Sequence, residues 1–166
     1  MYDNRMTFGV RNALALLALL LPAAAVQAGD WYTLALSDQA LMVVDRNAAR
    51  ASIHRGTVEE VQIFAHPRAV AGAGQPVRRL DIALQIDCRT RRLRPSGFTV
   101  WSEAGEQLLA WQADANQAQW LAPEADSANT FLLEAVCDRK WAASRLRTGV
   151  DLQQLQRQYV AAATGQ

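Results

Sequence analysis

Residues 77–88 read VRRLDIALQIDC and alternate between polar and apolar side chains along most of their length. An alternation with a period of two predicts a β-strand, because successive side chains of a strand point to opposite faces of a sheet. The apolar set consists of Leu80, Ile82, Leu84, Ile86 and Cys88. We therefore predict that this face is buried and that the sulfur of Cys88 points into the core.

Five further segments predict strands and, together with this one, a six-stranded antiparallel β-sheet. They are Trp31–Leu36, Leu41–Val44, Thr57–Phe64, Leu93–Ser102 and Gln107–Trp111. Short turn sequences separate most neighbours, which favours a meander of antiparallel strands. His66–Pro76 contains two prolines and two glycines and predicts a loop. Residues 46–56 lack clean alternation and receive no assignment.

A C-terminal helix is predicted to cover the apolar face of this sheet. Ser127 is a suitable cap for a helix that begins near Ala128. Its apolar side chains would pack on the sheet, which needs such a cover on its apolar face. Cys137 lies four residues after Leu133 and shares its face of the helix, which directs Cys137 toward Cys88. These features predict an α+β fold.

A second short helix is predicted in the glutamine-rich tail. Asp151 lies three residues before Gln154, a spacing that resembles a capping box. The helix would carry a narrow apolar stripe of Leu152, Leu155 and Tyr159. We divide the chain into an N-terminal segment over residues 1–28, one domain over residues 29–141 and a helical C-terminal tail over residues 142–166.

Residues 1–28 have the three parts of a secretory signal peptide. Arg5 and Arg11 precede an unbroken apolar run over Ala13–Leu21, and residues 26–28 read VQA, which fits the small-residue cleavage rule. Even when it is extended to residue 26, the apolar run has 14 residues, whereas a membrane span needs about 20. We expect cleavage after Ala28 and a periplasmic or secreted mature chain, with no transmembrane span and no cysteine at the cleavage site to carry a lipid anchor.

The mature chain is expected to carry no net charge. Cleavage removes two of the 17 basic and one of the 16 acidic side chains and leaves 15 of each. Binding to nucleic acid phosphates requires an excess of basic side chains. Neutrality therefore argues against nucleic acid as a partner.

Cys88 and Cys137 are the two cysteines of the chain. An even number of cysteines in an exported protein favours a disulfide. The alternatives are a metal site and a catalytic thiol. Two cysteines without clustered histidines form a poor zinc site, and the Cys-x-x-Cys motif of redox enzymes is absent.

The sequence contains no G-x-S-x-G, H-E-x-x-H, P-loop or dinucleotide-binding motif. His54 and His66 are its two histidines. His54 lies two residues after Ser52, but no third group that would orient such a pair is evident. We predict a protein that is not an enzyme and that has no cofactor or metal site; an enzyme centred on His54 is the weaker hypothesis.

Four arginines surround the turn that follows Cys88: Arg89, Arg91, Arg92 and Arg94. They form the candidate partner-binding site, because such a cluster attracts an acidic protein, an anionic lipid or a polysaccharide. The alternative is a solubilising turn in which the arginines pair with Asp87 and other carboxylates. The arginines Arg78 and Arg79 lie at the other end of the same strand and do not belong to this patch.

Five tryptophans are many for a chain of this length, and two roles are open to them. They are Trp31, Trp101, Trp111, Trp120 and Trp141. Tryptophans either line a binding groove or fill a small core.

The order and spacing of several short motifs resemble the bacterial surface-adhesin protein E family. The resemblance covers residues 29–137 and is carried by Asp30-Trp31, Val43-Val44-Asp45, Asp87-Cys88, Arg91-Arg92-Leu93, Val100-Trp101-Ser102, Pro123, Ser127 and Cys137. It implies a six-stranded antiparallel sheet with a helix tethered to one face by a disulfide, the arrangement that the residue patterns also predict. The family's best-known member is a lipid-anchored adhesin, and this chain lacks the cysteine for that anchor.

Together, these observations predict a binding module that is not an enzyme and that is secreted or periplasmic. Its partner is expected to be a protein, and the resemblance implies a host matrix or surface protein. The alternative is a structural or assembly factor of the cell envelope that acts through its C-terminal helix. An exposed strand edge also makes a homodimer a reasonable expectation.

Overall fold

The structure is a computed structural model that describes residues 28–52, 56–114 and 118–165. These residues form β1 (Gly29–Leu36), β2 (Ala40–Asp45), α1 (Arg46–Ser52), β3 (Thr57–Arg68), β4 (Val77–Asp87), β5 (Arg92–Ser102), β6 (Gln107–Gln112), α2 (Ala128–Cys137), β7 (Leu146–Val150) and α3 (Leu152–Thr164). A short 3-10 turn over Ala143–Arg145 leads into β7. The predicted signal peptide, up to residue 27, and His54 lie outside the described residues.

The described strands form one antiparallel sheet in the order β6-β5-β4-β3-β2-β1-β7. The α+β class and the meander are confirmed, but the prediction of six strands was one short. The missed strand, β7, pairs with β1, with Thr148 opposite Asp30 and Leu146 opposite Tyr32. Its side chains are mostly exposed, so it carries no alternation of polarity, and it becomes a strand by pairing with the edge of β1.

Two other segments differ from the sequence prediction. Residues 46–52, which received no assignment, form α1, and the side chain of Asp45 begins this helix by accepting hydrogen bonds from the backbone N–H groups of Asn47 and Ala48 at 2.8 and 3.1 Å. The loop that was predicted to start at His66 starts later, because β3 continues to Arg68.

Helix α2 covers one face of the sheet, as predicted. Its N-terminus is capped by Ser127, whose hydroxyl accepts a hydrogen bond from the N–H of Thr130 at 3.2 Å. The helix buries Leu132, Leu133, Ala135 and Val136 against Tyr32, Leu34, Val44, Val58, Leu84 and Ile86 of the sheet.

Helix α3 packs on the opposite face. Leu155 and Tyr159 are buried against Trp31, Leu41, Val43, Val61, Ile63 and Ala65. The hydroxyl of Tyr159 donates a hydrogen bond to the carbonyl of Ser37 at 3.0 Å, and Asp151 caps the helix by accepting a hydrogen bond from the N–H of Gln154 at 2.7 Å. The C-terminal segment therefore adds a strand to the edge of the sheet and a helix to its second face.

The disulfide Cys88–Cys137 is present, with the two Cα atoms 5.4 Å apart. The prediction that Cys88 points into the core was wrong, because the residue is exposed. β4 ends at Asp87, whose side chain accepts hydrogen bonds from the N–H of Arg89 at 2.9 Å and the hydroxyl of Thr90 at 2.8 Å. These bonds start a turn in which the strand alternation no longer applies, so the disulfide lies at the rim of the sheet.

Glu60 is a carboxyl group inside the apolar layer beneath α2. It lies in β3 between Val44 and Ile82 of the neighbouring strands and is 2% exposed. Gln62 donates a hydrogen bond to it at 2.7 Å, and no cationic side chain pairs with it in the described part of the chain. Burial raises the pKa of Glu60 above its ordinary value of 4.5, and the hydrogen bond from Gln62 opposes that rise.

We expect Glu60→Gln to stabilise the protein at neutral pH. A raised pKa means that the folded state holds the proton more tightly than the unfolded state. Protonated Glu60 therefore contributes its full share to the free energy of unfolding below pH 4.5. That share is lost as the pH rises through the pKa that Glu60 has in the folded state. The gain from the substitution should grow over that interval by about 1.4 kcal/mol for each unit of pKa shift. Urea unfolding of both proteins from pH 4 to pH 8 measures the gain, and exposed Glu106→Gln is the control. A gain that is independent of pH would contradict this account.

We expect Leu155→Ala to lower the free energy of unfolding by about 2–4 kcal/mol, since it removes a buried side chain from the contact between α3 and the sheet. The control is Gln158→Ala, an exposed change in the same helix, which should alter stability by less than about 0.5 kcal/mol. Urea unfolding distinguishes the two. Equal and small effects would show that α3 does not contribute to the stability of the fold.

Candidate functional site

The disulfide joins two basic segments at one rim of the sheet. We call this surface the basic rim; it consists of residues 87–94, around the β4–β5 turn, and residues 137–140, at the end of α2. The two segments contain six basic and two acidic side chains. Four of the basic residues are the predicted arginines, and Arg139 and Lys140 were missed. They lie two and three residues after Cys137, so the predicted disulfide is the signal that could have placed them beside the arginines.

Asp138 holds the two segments of the basic rim together. Its carboxylate accepts a hydrogen bond from Nη1 of Arg91 at 2.7 Å and lies 3.8 Å from Nζ of Lys140. Arg91 and Arg139 have φ angles of 56° and 58°, in the left-handed region that residues other than glycine rarely adopt. Such conformations cost about 1–3 kcal/mol each and persist only where the surrounding structure holds them. Two of the basic residues are therefore held in fixed, strained backbone positions.

The four predicted arginines do not form one uniform patch. Arg89 and Arg92 are exposed, and Arg91 is engaged with Asp138. Arg94 lies further along β5, where its Nε donates a hydrogen bond to Gln85 at 2.7 Å and its guanidinium group stacks 4.7 Å from the ring centre of Trp120. The exposed cations of the basic rim are therefore Arg89, Arg92, Arg139 and Lys140.

Asp87 does not neutralise these arginines through a direct contact. Among the described residues, no arginine side chain forms an ion pair with it. A hydrogen bond from the side chain of Thr90 lowers the pKa of Asp87, and backbone hydrogen bonds from Thr90 and Arg89 add to that effect. The positive charge of Arg89 also lowers the pKa of Asp87, as the smallest of these effects. Asp87 thus stabilises the turn mainly through its hydrogen bonds, and the guanidinium groups of Arg89 and Arg92 make no direct contact with it.

A second surface lies on the α3 face of the sheet, where α3 leaves β4, β5 and β6 uncovered. A groove of about 380 Å³ occupies this area. We call it the acidic groove, because Glu59 and Asp81 lie on its lining together with Ala83, Ser96, Gly97, Phe98, Thr99, Trp101, Ala110, Trp111 and Gln112. Most of these residues face each other across adjacent strands.

Asp81 and Arg79 fix the position of the Trp101 ring. The indole N–H of Trp101 donates a hydrogen bond to Oδ2 of Asp81 at 2.6 Å, and Nη2 of Arg79 donates to the same oxygen at 3.1 Å. Nε of Arg79 is 2.9 Å from Oδ1 of Asp81 but is not aligned for a hydrogen bond. The Arg79 guanidinium also stacks 4.4 Å from the Trp101 ring centre. Burial raises the pKa of Asp81, while Arg79 and Trp101 oppose that rise.

A neighbouring groove of about 370 Å³ lies between α3 and the β5–β6 turn. We call it the amide groove, because Gln153 and Gln156 line it beside Arg79, Trp101, Glu103 and Arg157. Trp101 is common to the linings of both grooves. Trp101 therefore lies where the two grooves meet.

The five tryptophans divide between the two roles that the sequence left open. Trp31 is buried beneath α3, and the ring of Trp141 packs edge-on against Tyr32 at 5.1 Å. Trp111 and Trp120 are 41% and 38% exposed. Trp101 and Trp111 both belong to the lining of the acidic groove, so only some of the five tryptophans fill the core.

Catalytic or metal chemistry has few candidate groups in residues 28–52, 56–114 and 118–165. His66 is exposed at the end of β3. Within those ranges no three histidine, cysteine, aspartate or glutamate residues are grouped so as to hold a metal ion. Over the same residues, the structure contains no helix with the length and apolar character that crossing a membrane requires.

Comparison with known proteins identifies the family. The family model of surface-adhesin protein E matches residues 31–138, which is more than half of the chain. The matched range runs from β1 to the end of α2 and includes both disulfide cysteines. Comparisons with curated proteins and with solved structures found no match. The chain belongs to the surface-adhesin protein E family, as its motifs predicted.

Proposed function

We propose that this member of the surface-adhesin protein E family is an exported, non-enzymatic binding module and that its basic rim binds an acidic surface of a protein partner. A host matrix or surface protein is the partner class that an adhesin-like surface protein would meet. The observation that carries the proposal is the concentration of six basic side chains on two segments that a disulfide joins, in a mature chain with no net charge.

The geometry of the basic rim supports an acidic protein as the ligand. Guanidinium groups form paired hydrogen bonds with carboxylates, so exposed Arg89 and Arg92 suit aspartate and glutamate side chains. The backbone at Arg91 and Arg139 is already held in the left-handed region, and therefore less conformational entropy is lost when a partner binds. Charges at such a rim accelerate association and make it dependent on salt concentration.

We expect the double substitution Arg89→Glu and Arg92→Glu to weaken binding to matrix proteins by at least about tenfold, which corresponds to about 1.4 kcal/mol. Surface plasmon resonance against a panel of immobilised host matrix proteins, at two salt concentrations, measures the effect. The control is Arg147→Glu, an exposed charge reversal on the edge strand β7, which β3, β2 and β1 separate from the β4–β5 turn.

Two results would count against this role of the basic rim. One is equal binding by the double variant and the unmodified protein; the other is an equal loss in the Arg147→Glu control, which would indicate a general effect of net charge. A reduced dependence on salt in the double variant alone would support a direct contact through Arg89 and Arg92.

Export is supported by the predicted signal peptide and by the start of β1 at Gly29, directly after the proposed cleavage site. We expect the protein purified from the cell envelope to have the mass of Gly29–Gln166 less two hydrogens, because the cysteines are paired. Intact mass spectrometry before and after reduction measures this. A mass that includes residues 1–28, or one with two free thiols, would contradict export with an oxidised Cys88–Cys137 bond.

The alternative function, an envelope assembly factor that acts through its C-terminal helix, has less support. That hypothesis needs the apolar stripe of α3 to be available to another protein. Leu155 and Tyr159, two of its three residues, are buried against the sheet. A partner would therefore have to use the outer, glutamine-rich side of α3.

A further inference from the structure

We propose that the acidic groove and the amide groove together form a saccharide-binding site, centred on Trp101. We call the combined site the Trp101 trough. It lies on the α3 face of the sheet and does not depend on the function proposed for the basic rim.

The acidic groove has a floor of small side chains. Ala83 of β4 lies opposite Gly97 of β5, and Thr99 of β5 lies opposite Ala110 of β6. Three adjacent strands therefore present small residues toward the same face of the sheet. This arrangement leaves room for a flat ring to approach the backbone, and it explains why a groove exists where other parts of the sheet carry large apolar side chains.

Trp101 supplies an aromatic wall next to this floor. One side of its ring is occupied by the guanidinium group of Arg79, which lines the amide groove but not the acidic groove. The opposite side of the ring is the one that we propose receives the ligand. A pyranose ring has an apolar face of C–H groups, and such a face packs well on a tryptophan. Because Asp81 accepts the indole N–H, the ring is held in place before a ligand arrives.

The polar groups around the trough can both donate and accept hydrogen bonds. Gln112 and Ser96 lie beside the acidic groove, and Gln153 and Gln156 lie beside the amide groove. Amides and hydroxyls have both kinds of group, and so do the hydroxyls of a sugar. The exposed carboxylate of Glu59 adds an acceptor. Asp81 has a different role, since its oxygens are already engaged with Trp101 and Arg79, and we assign it as a positioning residue.

The distribution of charge favours a neutral ligand over a charged peptide. Asp81 and Arg79 form an ion pair with each other, and Glu103 of the amide groove pairs with Arg78. Among the described lining residues, Glu59 of the acidic groove and Arg157 of the amide groove have no ion-pair partner. A cationic peptide along the trough would meet Arg157, and an anionic peptide would meet Glu59. A neutral oligosaccharide can hydrogen-bond to both ends. The volumes of about 380 and 370 Å³ fall within the lower part of the range of ligand pockets, roughly 300–1,000 Å³, which suits a few sugar rings.

The test is titration of the mature protein, residues 29–166, with soluble lactose, maltotriose, cellotriose and chitotriose. Two-dimensional ¹⁵N–¹H NMR follows the indole N–H signal of Trp101, which is assigned by its loss in Trp101→Phe. In Trp101→Ala, which lacks this signal, the backbone N–H signals of β4, β5 and β6 report binding instead. We expect at least one of these sugars to shift this signal in a saturable manner, with weak, millimolar affinity. We also expect Trp101→Ala to weaken binding by more than tenfold, and Gln112→Ala by about threefold to tenfold.

The control substitution is Trp120→Ala, which removes an exposed tryptophan outside the trough and should leave sugar binding unchanged. If Trp101→Ala fails to fold, the sugar affinities of Gln112→Ala and Glu59→Gln, which alter exposed side chains, test the proposal instead. The charge reversals at Arg89 and Arg92 should not affect sugar binding, so the trough and the basic rim can fail independently.

The proposal is overturned if none of the four sugars shifts the Trp101 signal, or if sugar binding survives all three trough substitutions in folded protein. It is also overturned if tetralysine or tetraglutamate shifts the signal and the sugars do not, because the trough would then be a site for charged peptides.

Discussion

Val43 and Val44 are neighbours in β2, and both side chains are almost completely buried, one on each face of the sheet. A sheet with apolar side chains on both faces needs a cover on each side, since exposed apolar surface is unfavourable in water. α2 supplies the cover on one side and α3 supplies it on the other. α3 packs on β1, β2 and β3. It therefore leaves β4, β5 and β6 uncovered on its face of the sheet. The Trp101 trough occupies that uncovered area.

The sequence predicted those parts of the fold in which burial alternates along a strand. In β4, Leu84 and Ile86 are buried on one face while Gln85 lies on the other, and the strand was assigned correctly. The same rule misplaced Cys88, because a turn stabilised by Asp87 ends the alternation one residue earlier. It also missed β7, whose side chains are mostly exposed and whose strand conformation comes from pairing with β1. Non-local pairing of this kind leaves no periodic signal in the segment itself.

The candidate surfaces show the same division between local and non-local information. The arginines around the β4–β5 turn are close in sequence and were recognised as a cluster. Arg139 and Lys140 join them through the disulfide and the Arg91–Asp138 ion pair, which are contacts across 49 and 47 residues. The trough could not be predicted at all, because Glu59, Asp81, Thr99 and Ala110 are distant in sequence and become neighbours only through strand register. The resemblance to the protein E family indicated the fold and the disulfide but gave no indication of this groove.

The pairing of β1 with β7 has a kinetic consequence. The indole N–H of Trp31 donates a hydrogen bond to the carbonyl of Val150 at 2.9 Å, a contact between residues 119 positions apart. A chain is synthesised from its N-terminus, so the edge of β1 that β7 covers stays unpaired until nearly all of the chain has been made. Contacts between distant residues also form slowly, because a long loop must close first. During that interval the free edge of the first strand can pair with other chains, and a chaperone that shields extended segments would protect it until the last strand forms.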